Sequence, residues 1–302
     1  MSDPTIHFSS KGHCIYCGAT GTRLTDEHVV PYALGGKHLI DKASCDKCQK
    51  ITGRIEQAVA RGMWGDARIA FNAPTRRPRE RPVQFSIPTT EAGQTPIVIP
   101  YADYPAAMVF YWMDRAGIFQ GLPPDVDLSK LWILKAIFDK SKADNFHRQH
   151  PNRLVVRWRH EPENFARMLI KIGYCQVLTE LNTSDFDEFA TPYIVGNKPN
   201  PSFIVGGNPS AIPDMTFGYY LSTSGFGTID QMVIVANVKL YSNLETPIYH
   251  IAVGQVSGAP RVRQLLAKLN TARGLTIIPQ STEGDDPTSY GTSTVWPIPY
   301  WP

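Results

Sequence analysis

Residues 14–53, CIYCGATGTRLTDEHVVPYALGGKHLIDKASCDKCQKITG, carry the clearest structural signal in the chain. Two CxxC pairs, Cys14 with Cys17 and Cys45 with Cys48, bracket the stretch. Thiols paired at this spacing present four thiolates tetrahedrally to zinc. Because a block this short rarely builds a sufficient apolar core, the zinc would supply folding free energy as well as geometry. The alternative interpretation is two buried thiol pairs without a metal.

An acidic residue joined to a histidine, Glu27-His28, lies between the pairs, with Pro31 and Gly35-Gly36 after it. Phosphodiester hydrolysis needs a base for water and positive charge for the phosphate, and an imidazole and a carboxylate-bound cation supply these. Neighbours on a strand point to opposite sides, so both side chains serve one site only if the backbone bends there. The alternative is a surface ion pair or a buried, hydrogen-bonded histidine.

This order of residues resembles the HNH endonuclease family, in which CxxC, Asp/Glu-His, a proline, a Gly-rich turn and a second CxxC follow one another. The resemblance implies a ββα-metal unit with a structural zinc on the four cysteines. It further implies that His28 activates water and that Glu27 binds a catalytic Mg²⁺ or Mn²⁺. Asp26 is a further acidic candidate beside them.

Two further positions follow from the same resemblance. Gln49 stands where the family usually has the Asn or His that ligates the catalytic ion from the helix; its amide oxygen suits a hard cation, but it is one methylene longer than Asn. Glu56, two helical turns on, is expected on the same side. His38 corresponds to the middle residue that orients the base histidine through its backbone, with Lys37 and Asp41 as alternatives.

The amino-acid composition indicates the broad class of protein to which the chain belongs. The 302 residues are 42% hydrophobic and 19% charged with a net charge of +3, which is typical of an ordinary folded protein and indicates no particular partner. The start of the chain has no signal-peptide pattern, and no apolar run approaches the roughly 18 residues of a spanning helix. We therefore expect a cytoplasmic protein without membrane contact, in which the fifth cysteine, Cys175, is a small buried hydrophobe.

The pattern divides the chain into four parts: an HNH-like zinc domain at 1–70, a Pro/Arg-rich linker at 71–96, a domain of unknown role at 97–280 and a low-complexity tail at 281–302. The predicted fold class is α+β, a small zinc-stapled ββα-metal domain plus a larger mixed domain with a mainly antiparallel sheet.

Hydrophobic periodicity predicts the elements within these parts, with neither helix nor sheet favoured in the linker and the tail disordered apart from its aromatic end. The predicted helices are Gln49–Met63, Leu128–Asp139 and Pro162–Leu181. The predicted strands are Arg153–Trp158, Ser202–Val205, Gln231–Tyr241 and Pro247–Gly254.

Basic residues offer a nucleic-acid surface in two places. The linker carries Arg76, Arg77, Arg79 and Arg81, which beside a nuclease become a phosphate-contacting arm, although most such runs are simply solvated. The second is a segment that holds His147, His150, Arg157, Trp158 and His160, and a packed strand with a wet edge explains it equally well.

The main hypothesis from sequence is a metal-dependent endonuclease that cuts double-stranded DNA, in a phage, mobile-element or defence setting. Two rivals stay open. One is a non-catalytic, zinc-stabilised nucleic-acid-binding protein, which Gln49 favours. The other is a protein-interaction zinc unit attached to a C-terminal domain that is the active part. The sequence does not indicate an oligomeric state.

Overall fold

The computed structural model describes residues 5–87, 95–151, 159–208, 218–273 and 292–296, with side chains up to residue 269. The chain is a mixed α+β protein whose sheets are largely antiparallel, as the sequence predicts.

The N-terminal part is a three-stranded sheet followed directly by a helix. Strand β1 (Ile6–Phe8) pairs in parallel with β3 (His38–Cys45), and β2 (Leu24–His28) pairs with β3 in the antiparallel sense. Helix α1 (Asp46–Gln57) begins where β3 ends. The ββα arrangement expected from the sequence is therefore formed by β2, β3 and α1, with β1 as an additional edge strand.

A glycine loop, defined here as residues 31–37 (PYALGGK), connects β2 to β3. Gly35 has a φ of 88°, in the left-handed region that side chains disfavour. Gly36 passes so close to the preceding chain that an added Cβ would lie 1.7 Å from the carbonyl oxygen of Val30. Both glycines are therefore required by the backbone path that leads from His28 into β3.

We expect Gly36→Ala to lower the free energy of unfolding by about 2 kcal/mol or more, because the new methyl group forces this loop apart. Gly53→Ala is the matched control: its Cβ meets nothing within 4 Å in the middle of α1. That variant should gain about 1 kcal/mol from helix propensity. Urea unfolding of the two zinc-loaded variants measures both values, and equal effects would contradict the close approach at Gly36.

The chain after α1 continues as a π-helical turn, Ala58–Met63, and then as α2 (Gly65–Ala70). The predicted helix Gln49–Met63 therefore starts three residues earlier than expected and loses regular α geometry after Gln57. Trp64 lies between the π-helical turn and α2, and its indole N–H donates a hydrogen bond to the carbonyl of Val109 at 2.6 Å.

The rest of the chain is built around an antiparallel sheet with the strand order β13, β10, β11, β12, β8, and β9 also pairs with β12. Two smaller hairpins, β4 with β5 and β6 with β7, accompany it. The elements in chain order are β4 (Gln84–Ile87), β5 (Ile97–Pro100), β6 (Ala107–Trp112), β7 (Ile133–Phe138), α3 (Lys140–Gln149), α4 (Pro162–Glu180), β8 (Asp187–Glu188), α5 (Thr191–Val195), β9 (Val205–Asn208), β10 (Tyr219–Gly227), β11 (Gln231–Leu240), β12 (Ile248–Ser257), α6 (Ala259–Arg273) and β13 (Thr292–Trp296).

Helix α4 is the central element of the molecule. It packs on β11 and β12 on one side and on α1 on the other, so nearly all of its side chains between Phe165 and Leu178 are buried. Gly173 allows the close contact with the sheet, because an added Cβ would lie 3.0 Å from that of Ala236. A helix that is apolar on almost every face is stable only in such a sandwich.

One continuous hydrophobic cluster joins the N-terminal unit to the larger sheet. Tyr174 on α4 donates a hydrogen bond to the carbonyl of Ile15 at 2.8 Å, and Tyr16 and Cys175 contact each other at 3.5 Å between Oη and Sγ. Cys175 is fully buried, as its sequence surroundings predict. The proposed boundaries at 70, 96 and 280 stay predictions.

Several predicted elements are confirmed and others are wrong. Helix α4 and strands β11 and β12 match the predictions to within three residues at each end. The predicted helix Leu128–Asp139 is instead a 3₁₀ turn followed by β7, because the apolar strand β6 offers a partner that local pattern does not reveal. The predicted strand Ser202–Val205 starts as a 3₁₀ turn and becomes strand only at Val205.

Two regions predicted to be irregular contain strands. β4 lies inside the 71–96 linker and pairs with β5, and β13 lies inside the 281–302 tail and pairs with β10. The predicted strand Arg153–Trp158 falls outside the described residues. Among the described helices, none is both long and apolar enough to cross a membrane.

Candidate functional site

The four paired cysteines converge at one point. The Sγ atoms of Cys14, Cys17, Cys45 and Cys48 all lie within 4.8 Å of one another, and those of Cys17 and Cys45 are 3.8 Å apart. Four thiolates around one zinc ion at about 2.3 Å give sulfur–sulfur distances of about 3.8 Å in a tetrahedron. The donor set and its spacing therefore fit a structural zinc ion.

The surrounding backbone favours thiolate at this cluster. The N–H of Cys45 points at the sulfur of Cys14, 3.4 Å away. Burial would raise the pKa of Cys45, but the backbone N–H of Cys48 and the neighbouring thiols lower it to about 7. Deprotonation near neutral pH is what metal binding requires.

We expect the zinc to be part of the fold. Cys45→Ser should reduce bound zinc below one per chain and lower the melting temperature by about 10 °C or more, because a structural zinc supplies folding free energy. Elemental analysis and thermal unfolding measure the two quantities. Cys175→Ala is the control, since this cysteine lies outside the cluster and should leave one zinc per chain; loss of zinc in both variants would contradict the assignment.

His28 ends β2 and lies at the wall of two adjoining clefts. Its imidazole contacts the ring of Tyr32 at a centroid distance of 5.9 Å. Burial and the positive charges of Lys171 and Arg76 lower the pKa of His28 to about 4, and a hydrogen bond to the carbonyl of Gly36 only partly opposes this shift. The imidazole is therefore neutral at physiological pH, and its Nδ1 is buried without a hydrogen-bond partner among the described residues.

Both clefts beside His28 are basic. The glycine-loop cleft has a volume of about 710 Å³, and its charged lining residues are Lys37, Arg76 and Arg81. The helix cleft has a volume of about 480 Å³ and contains Arg61, Arg68, Arg76 and Arg77, with Glu56 as its acidic member. This concentration of positive charge around a neutral histidine suits an extended anionic ligand.

The predicted arginine arm is thus partly at the site. Arg76 separates the clefts, with its guanidinium 5.7 Å from the centroid of the Tyr32 ring, and Arg77 and Arg81 line one cleft each. Arg79 is exposed and lines neither cleft. Three of the four arginines of the predicted arm therefore line a cleft and Arg79 does not, a difference that the sequence pattern does not show.

This difference supplies a matched pair of variants. We expect Arg76→Ala to weaken DNA binding and to reduce the slope of log K against log salt by about one, as for the loss of one phosphate contact. Arg79→Ala should leave the slope unchanged. Fluorescence anisotropy over a salt series measures both, and equal slopes in the two variants would contradict a phosphate contact at Arg76.

Glu27 does not face the same clefts as its neighbour. It is buried, and its Oε1 lies 2.8 Å from the Nζ of Lys171 on α4. The same Nζ lies 2.9 Å from Oε1 of Glu56 on α1 and donates a hydrogen bond to the backbone carbonyl of His28. Burial alone would lower the pKa of Lys171, but the two carboxylates outweigh it and raise the pKa, so the ammonium remains charged.

The predicted cation site of Glu27 with Gln49 does not fit this geometry. Gln49 lies on the exposed face of α1, whereas Glu27 is buried against an ammonium ion. Glu56 is the helix residue that shares a charged partner with Glu27. The two predicted ligands therefore do not come together around a Mg²⁺ or Mn²⁺ ion.

His38, the predicted middle residue of the HNH motif, contacts the end of β2 through its backbone. The carbonyl of His38 accepts a hydrogen bond from the N–H of Val29 at 2.9 Å, directly after His28. The His38 side chain is buried, and its ring lies 5.6 Å from that of Phe8 and 6.3 Å from that of Tyr219. This contact places the backbone of His38 beside the end of β2 at His28, and the ring contacts of the described residues do not include one between the two imidazoles.

The remaining candidates lie elsewhere. Asp41 pairs with His7 at 2.6 Å, and Asp26 accepts a hydrogen bond from the N–H of Lys42. His160 bonds the hydroxyl of Tyr111 at 3.0 Å and is part of the packing there. Arg157 and Trp158 lie outside the described residues, and no contact joins the described histidines His147 and His150 to the clefts.

Sequence reasoning missed Lys171. The signal was present, because a lysine in the middle of the largely apolar run FARMLIKIGYCQVL places a charge on a helix whose residues from Met168 to Leu178 are all buried. Such a charge requires a buried partner of opposite sign. The sequence did not reveal which carboxylates would meet it.

Comparison with known proteins supports the N-terminal assignment. Residues 14–61 match a family model described as HNH endonuclease. No curated protein and no solved structure matches the chain. The match covers the cysteine cluster, β2, the glycine loop, β3 and α1, and it ends before the linker arginines.

Proposed function

We propose that this protein is an endonuclease that hydrolyses phosphodiester bonds in double-stranded DNA, with His28 as the general base. The observation that carries the proposal is a neutral imidazole at the junction of two basic clefts, inside the segment that matches the HNH endonuclease family. The structural zinc holds the two strands and the helix around that imidazole.

The residues of the clefts supply the parts of the reaction. His28 takes a proton from water, the resulting hydroxide attacks phosphorus, and the bond from phosphorus to the leaving oxygen breaks. Arg76 and Lys37 lie where they can stabilise negative charge on the phosphate, and the leaving oxygen takes its proton from solvent. The carbonyls of Gly36 and His38 hold the ring and its strand in place.

A second candidate is a nucleic-acid-binding protein that does not cut. The ion pair of Glu27 with Lys171 favours this second candidate. Glu27 is the carboxylate expected to bind a catalytic cation, and the ammonium group of Lys171 already balances its negative charge. Both candidates share the basic clefts and predict DNA binding, so only cleavage separates them.

Plasmid nicking tests the proposal. The wild-type protein should convert supercoiled to nicked plasmid, and His28→Ala should reduce the rate by about 10²–10⁴-fold, the usual contribution of a general base. His7→Ala is the matched control, because His7 is an exposed histidine on β1 that pairs with Asp41 on β3. Zinc content should be equal in all three proteins. DNA binding without nicking by the wild type would favour the second candidate.

The pH dependence of nicking gives an independent check on His28. A base whose pKa is lowered from 6.5 to about 4 is active above that value, so the rate should be flat from about pH 5.5 to 8 and fall only in more acidic buffer. Single-turnover rates measure the profile, with circular dichroism to show that the fold persists at low pH. A midpoint near 6.5 would mean that the clefts do not perturb the acting histidine.

A further inference from the structure

A buried ammonium ion lies where β2, α1 and α4 meet. The side chain of Lys171 is 1% exposed, and its Nζ contacts three oxygen atoms: one from Glu27, one from Glu56 and the backbone carbonyl of His28. The contact with Oε1 of Glu56, at 2.9 Å, is an ion pair without hydrogen-bond geometry, whereas the carbonyl of His28 accepts a hydrogen bond from the ammonium. We call these three oxygens the oxygen cage.

The oxygen cage has the chemistry of a site for a hard cation. Carboxylate and backbone carbonyl oxygens are the ligands that Mg²⁺, Mn²⁺ and Ca²⁺ prefer. The two carboxylates come from the strand and the helix that also frame the cleft of His28, and one of the three oxygens belongs to His28 itself. A divalent ion bound at about 2.1 Å from these oxygens would need the space that Nζ fills.

We propose that Lys171 supplies, as a tethered ammonium, the positive charge that a divalent cation would otherwise bring to the oxygen cage, so that the folded chain binds no second metal beside His28. Lys171 is then a positioning residue: it neutralises Glu27 and Glu56 and fixes the backbone of His28. The effect on cleavage rests on the nuclease activity proposed above, whereas the statement about cation binding does not.

The packing of α4 fixes the position of the Lys171 ammonium group. Lys171 projects from the middle of α4, whose flanking side chains are packed between α1 and the large sheet. Withdrawal of the ammonium would require α4 to separate from both. A charge held in this way is present in every folded molecule and does not depend on the concentration of a free ion.

Titration with Mn²⁺, followed by electron paramagnetic resonance on the full-length, zinc-loaded protein without DNA, tests the proposal. The wild type should hold one zinc and show no saturable Mn²⁺ site in the cage. Lys171→Ala empties the space and should gain one saturable Mn²⁺ site per chain. The double variant Lys171→Ala/Glu27→Gln should lose that site, and Lys47→Ala, an exposed lysine on α1, should behave as the wild type.

Each outcome decides the proposal. A wild-type Mn²⁺ site that Glu27→Gln removes would overturn it, and so would a folded Lys171→Ala protein that gains no site. If Lys171→Ala does not fold, as circular dichroism would show, the wild-type titration with and without Glu27→Gln still decides.

Nicking in the presence of EDTA separates this inference from the proposed function. Wild-type nicking should continue at an unchanged rate in EDTA while zinc remains bound. Nicking that requires added Mg²⁺ would overturn the role of Lys171 and still support a nuclease. A protein that never nicks would contradict the proposed function, and the Mn²⁺ titration would still decide the role of Lys171.

Discussion

Lys171 carries a positive charge into a place that water does not reach, and two carboxylates from other parts of the chain surround it. Removal of one partner of such a buried pair typically costs about 3–5 kcal/mol, because the remaining charge is left uncompensated. The pairing therefore constrains how α4, β2 and α1 fit together. Any arrangement that separates the N-terminal unit from α4 gives up this pairing.

The same constraint separates the roles of Glu27 and His28. Successive residues of a strand point to opposite sides, and after an irregularity between Thr25 and Glu27 the last two residues of β2 pair in register with β3. Glu27 thus faces α4, whereas His28 faces the basic clefts. The neutral state of the imidazole follows from burial and from the cations on both sides of it, Lys171 and Arg76. The chemistry available at His28 depends on an element about 140 residues further along the chain.

Prediction from sequence succeeded where a pattern is local and long. The period of α4, the uninterrupted apolar strands β11 and β12, and the four cysteines all have signals that need no knowledge of the fold. It failed at 128–139, where an amphipathic stretch becomes β7 because β6 pairs with it, and at β4 and β13, whose partners lie outside their own segments. Strand pairing is a contact between distant residues, so local propensity does not specify it.

The amino-acid sequence by itself determined that the four paired cysteines form one candidate metal cluster, and its resemblance to the HNH family indicated a ββα unit with His28 as the candidate base. Spacing along the chain suffices for the cysteine cluster because each pair of ligands is close in sequence. Only the tertiary structure decided that Glu56 rather than Gln49 joins Glu27, that Lys171 lies between them, and that Arg76, Arg77 and Arg81 but not Arg79 line the clefts. These facts depend on the packing of α4 and the path of the linker, which bring together residues that no spacing relates.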